Sequence, residues 1–149
     1  MADNKKWRIK DLPADTAFCN AAKIVLEQRL SSLVLSIKAY FEQSSPENLH
    51  SVRIALRRMR YTMEIFYDCF APKKFMAVYK NLEKLQDLTG MVRDLDVLKE
   101  NVALFTAGSK IKIPKNFLIK IDAKKEDLTK TLKLELMKFY HSKRVKKFI

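Results

Sequence analysis

Apolar residues return at steps of three and four along almost the whole chain, the spacing that turns one face of an α-helix toward a core. Phe18, Ala22, Val25, Leu26, Leu33, Ile37 and Tyr40 follow it and predict a first helix from about Thr16 to Gln43, capped by Asp15 or Thr16. Ser45-Pro46-Glu47 then supplies an N-cap, a proline at the first helical position and an acid in the first turn, so a second helix starts at once. Its inward face is Val52, Leu56, Met59, Met63, Phe66 and Phe70. Ala71-Pro72 ends it, because proline pushes the preceding residue out of α geometry and donates no backbone hydrogen bond. A third helix from about Lys73 keeps its period across Gly90, a small residue that lets helix 2 come close, and stops at Ala107-Gly108-Ser109. After the loop IKIPKN, Pro114 opens a fourth helix, whose core face runs from Phe117 and Ile121 through Leu128, Leu132, Leu136 and Phe139 to about Tyr140. Strand alternation is hard to find. The expected fold is therefore an all-α, antiparallel four-helix bundle in one domain over 1–149. A partly ordered lead-in over 1–12 pins Trp7 to the bundle, and a basic tail over 141–149 is expected to fray into solvent.

The second helix carries a polar face as continuous as its apolar one. At about 100° per residue, His50, Arg53, Arg57, Arg60 and Glu64 fall within an arc of roughly 80°. An uncompensated buried charge costs several kcal/mol, so this stripe must border solvent or a polyanion. Arginine offers a rigid fork of donors, and forks one helical turn apart, about 5–6 Å, suit a run of phosphates. Glu64 pairs with Arg60 at i,i+4 and marks where the stripe stops, while Arg58 lies off the arc beside a neighbouring groove.

Charge sharpens this picture. The chain has a net charge of +13 and 48% hydrophobic residues, so it has material for a core and a long-range attraction for polyanions. Cys19 and Cys69 stand in no metal-ligand spacing and read as reduced cytosolic thiols. No signal-peptide pattern and no membrane-length apolar run is evident, so a cytoplasmic protein without a membrane partner is expected.

These residues carry a resemblance. A histidine, an arginine three on and then Arg-Arg-x-Arg, here His50, Arg53, Arg57, Arg58 and Arg60, is similar to the signature helix of CHAD domains, the conserved-histidine α-helical family. Arg93, Asp94 and Asp96 in GMVRDLDVL resemble the family's second element, and the resemblance spans most of residues 8–106. It implies that Arg93 joins a phosphate site, that Asp94 or Asp96 orients an arginine or His50, and that Lys23 sits near a position often basic. It also implies non-enzymatic binding of inorganic polyphosphate, with an association with polyphosphate granules. CHAD domains generally hold two helical repeats; this chain matches one, which raises the expectation of a homodimer.

The chemistry visible in the sequence is binding chemistry. P-loop, Ser/His/Asp, HExxH and magnesium-holding acid patterns are missing, so no catalytic, metal or cofactor residue is expected. The triphosphatase domain that often accompanies CHAD domains is not expected either, since LELMK supplies only one of its acids, Glu135. A basic helical nucleic-acid-binding protein is the alternative; it would need stacking aromatics beside the stripe, for which only Tyr61 and Tyr67 are available on that helix.

Overall fold

The computed structural model describes residues 8–148 and contains no strand among them. Four long helices carry the fold: α1 (Phe18–Glu42), α2 (Pro46–Ile65), α3 (Pro72–Ala107) and α4 (Lys115–Tyr140), with a one-turn 3₁₀ segment at Tyr67–Cys69 and a short α5 (Lys143–Lys146). Contacts between helix starts and helix ends fix their directions. Asn48 Nδ2 in the first turn of α2 donates to the carbonyls of Ala39 (3.3 Å) and Gln43 (2.9 Å) at the end of α1. Arg60 meets Tyr79 while Arg53 meets Asp94, and Lys84 meets Glu135 while Lys99 meets Asp122. Each helix thus runs opposite to the one before it.

The helix starts follow local chemistry with two corrections. Ser45 Oγ accepts from the Asn48 amide at 3.2 Å and Pro46 takes the first helical position, as the sequence predicts. Neither Asp15 nor Thr16 caps α1; Ala17 is the cap residue, with no side-chain cap bond, and the Thr16 amide closes a turn on the Pro13 carbonyl at 3.2 Å just before it. Pro114 is likewise the cap of α4 and not its first residue, with an extended ψ of 132°. α3 passes through Gly90 unbroken.

The core joins Leu26, Leu33, Ile37, Val52, Leu56, Met59, Met63, Leu82, Leu85, Val92, Leu132 and Leu136, drawn from all four long helices. Phe18, expected inside, lies on the rim with its ring 4.9 Å from that of Phe66. Phe117 is also exposed rather than buried, at the start of α4. The level at which α1 ends and α2 begins is marked by Tyr40, Ser45 and Leu49 gathered with Val92, Asp96 and Lys125. Past it the α3–α4 hairpin projects alone: at about 1.5 Å per residue, the 36 residues of α3 reach roughly 54 Å against about 30 Å for the 20 of α2.

Two expectations fail in this region of sequence-distant contacts. Cys19 and Cys69 are not free thiols but a disulfide, because antiparallel pairing returns the turn after α2 to the start of α1 and brings their Cα atoms to 5.3 Å. The thiols therefore give no support to a cytoplasmic setting. The tail is not frayed as far as Phe148: Val145 is buried in the main core, and the Phe148 ring stacks on Phe70 at 5.0 Å. Val145 on α5 and Phe148 just beyond it, three apart, dock where polar neighbours had argued for solvent. The expected role of Trp7 lies outside the described residues.

Candidate functional site

Three directions on α2 account for the fate of its cations. The side toward α3 holds Arg53 and Arg60, the side toward α1 holds Arg58, and the outer ridge holds His50 and Arg57, both exposed. Neither His50 nor Arg57 makes an ion pair among the described residues. Arg53 is anchored lightly: Nη1 lies 3.9 Å from Asp94 Oδ1, with much of both side chains in solvent. Gly90 stands beside the same guanidinium; a Cβ there would sit 3.8 Å from Nη1, an ordinary contact.

The α1 side adds a residue that the sequence did not single out for the site. Arg29 of α1 lies close enough to Arg58 for their charges to interact. Burial lowers the pKa of the Arg58 guanidinium first, and the positive charges of Arg29 and Arg57 lower it further; burial alone lowers that of Arg29. Arg29, Arg57 and Arg58 thus lie near one another at the α1–α2 seam, where Arg29 and Arg58 also make interactions of their own and Arg57 is the exposed one. Helical periodicity reports one helix at a time, and only the pairing of α1 with α2 brings Arg29 to this place. Lys23, six positions earlier and roughly 120° around α1, is exposed on another side.

Arg60 has a different role. Its side chain is only 15% exposed, and Nη2 donates to Tyr79 Oη at 2.8 Å while Tyr79 donates to Glu64 at 2.5 Å. Glu64 and Glu83 oxygens lie 3.6 and 3.7 Å from Nη2, and the guanidinium stands 5.0 Å from the Tyr79 ring centroid. The Tyr79 hydrogen bond is the main reason its pKa is raised, against burial and with help from Tyr79, Glu64 and Glu83. The expected Glu64 pair is present, and it belongs to a cluster that neutralises Arg60 in place.

The α3 motif divides similarly. Asp94 reaches across to Arg53, whereas the Arg93 guanidinium turns along its own helix to Glu100 at 3.3 Å. Asp96 is buried against Lys125 of α4, away from the stripe, and after burial itself is the second cause that raises the Tyr40 pKa. Among the described residues no three His, Cys, Asp or Glu side chains gather as a metal site. Tyr61, one turn beyond Arg57, is 53% exposed, and Tyr67 is exposed while meeting Phe75 edge-on.

A family model described as CHAD domain matches residues 3–103, a span that contains α1, α2 and all but the last turn of α3, and with them every cation of the ridge. No match was found among the curated proteins or the solved structures.

Proposed function

The chain belongs to the CHAD domain family, a family linked to polyphosphate binding, and from that premise we propose that it binds inorganic polyphosphate without cleaving it. The observation that carries this reading is the ridge of α2, where His50 and Arg57 stand exposed and Arg53 is lightly held by Asp94. A row of exposed cations one helical turn apart attracts a polyanion laid along it. Arg57 forks bind phosphate oxygens directly and Arg53 exchanges Asp94 for phosphate, while Arg93 joins only by giving up Glu100. Arg60 holds the α2–α3 seam and contributes no phosphate contact.

Calorimetric titration with long-chain polyphosphate, set against single-stranded RNA at equal phosphate concentration, tests the reading. Tighter binding of polyphosphate with no release of orthophosphate is the expected result. A second reading, single-stranded nucleic acid, is favoured by one observation: exposed Tyr61 one turn from Arg57 offers a base a stacking face. Tighter binding of RNA, lost in Tyr61→Ala, would select it. The homodimer belongs to the first reading, since two ridges related by a twofold axis would engage one polymer together. A mass that stays monomeric across concentration while tight binding persists removes the dimer.

A further inference from the structure

We propose that the free end of the α3–α4 hairpin docks on an anionic lipid surface. Large apolar side chains crowd that end in solvent: Leu104 is 75% exposed, Phe105 61%, Ile111 54% and Ile119 62%. Leu104 and Phe105 are neighbours about 100° apart on α3, and Phe117 and Ile119 point about 160° apart on α4. The apolar groups thus radiate around the tip. A groove in a partner protein covers one face of a helix, whereas a lipid interface surrounds whatever enters it and covers all of them at once.

The charge of the tip selects which lipid. Residues 101–121 contain Lys110, Lys112, Lys115 and Lys120, all exposed, and no aspartate or glutamate. Apolar side chains at the end of a protrusion with lysines beside them match an acyl boundary beneath anionic headgroups. The same charge disfavours a second copy of the chain in this place, because two tips would bring eight lysines together with no acid. No described helix is long and apolar enough to cross a membrane, so the contact proposed is a peripheral one.

The reporter is the full chain carrying F105W together with W7F, so that its single tryptophan lies at the tip. Its emission is expected to shift to the blue with vesicles of mixed phosphatidylglycerol and phosphatidylcholine and to stay unchanged with phosphatidylcholine alone. Replacing Leu104 and Ile119 by serine should weaken vesicle binding about tenfold or more, because each apolar side chain loses its transfer out of water. Lys110→Gln with Lys112→Gln should weaken it roughly twenty-five-fold, near fivefold for each lysine at an anionic surface. Arg57→Ala with Arg58→Ala should leave the blue shift in place, which separates the tip from the polyphosphate ridge. Sedimentation with anionic vesicles without any shift of the F105W emission would mean attraction by bulk charge and would overturn the proposal. So would serine variants, still helical by circular dichroism, that bind vesicles as well as the parent does or that change only the mass of the protein in solution.

Discussion

Arg57 and Arg60 lie three positions apart on the same stripe, and their surroundings set opposite consequences for losing them. Arg60→Ala removes the cation between Tyr79, Glu64 and Glu83 and leaves carboxylates facing one another. Glu64 and Glu83 are about half in solvent, so the loss is about 1–2 kcal/mol of stability. Polyphosphate affinity should stay within about twofold, as no phosphate contact is lost. Arg57→Ala relieves like-charge crowding of Arg58, so the melting temperature should hold or rise, while a charge-assisted contact of ~1.5–3 kcal/mol disappears from the complex and affinity falls about tenfold or more. Melting curves and calorimetry on the two variants read both quantities. Glu135 gives the acid-stability counterpart. Hydrogen bonds from Lys138 and then Lys84, each at 2.8 Å, hold its carboxyl below the ordinary range. A depressed carboxylate contributes stability above its unfolded pKa and loses it as pH falls through the folded one. Glu135→Gln should therefore cost about 1 kcal/mol near neutrality and flatten the decline of stability on the acid side, followed by denaturant unfolding across pH. Periodicity made the Arg60–Glu64 pair legible, since both residues share one helix; Tyr79 and Glu83 come from α3, and no spacing within α2 announces them.

At the scale of elements, the four helices were legible because capping and proline chemistry act within a few residues, as at Ser45-Pro46 and Ala71-Pro72. What joins distant elements was not. Cys19 and Cys69 are 50 residues apart, and only the return of α2 alongside α1 makes them partners. Closing a loop of that length stabilises by up to about 4 kcal/mol on the chain-entropy model. A thiol reductant should lower the unfolding midpoint accordingly, and Cys19→Ala with Cys69→Ala should abolish the reductant's effect; a midpoint indifferent to reductant in the parent would show that the bond contributes nothing. The docked tail makes a similar claim. Val145 is 3% exposed and belongs to the main core, so Val145→Ala should cost about 1–2 kcal/mol, whereas a frayed tail would make it silent in the same unfolding experiment.

For the whole molecule the question is whether polyanion binding follows the net charge of +13 or the ridge. Two double variants separate these, because each removes two positive charges. Arg53→Ala with Arg57→Ala empties the ridge, while Lys146→Ala with Lys147→Ala strips exposed lysines from α5 and the residue after it, leaving Val145 and Phe148 to hold the tail. Each phosphate contact releases condensed counterions, and for a single-stranded polyanion the logarithm of the binding constant falls with the logarithm of salt concentration by about 0.7 for every contact. If the ridge is the site, its double variant should lower that slope by about 1.4 and affinity at fixed salt by about a hundredfold. The tail variant loses only screened, long-range attraction, so its slope should match the parent's and its affinity should fall less than about threefold. Titrations of polyphosphate at a series of salt concentrations, with helicity confirmed for both variants, give the two slopes. Equal slopes and equal losses for the two variants would mean that the protein gathers polyanions by overall charge, and that the order in which α1 and α2 set Arg29, Arg57 and Arg58 side by side has no bearing on binding.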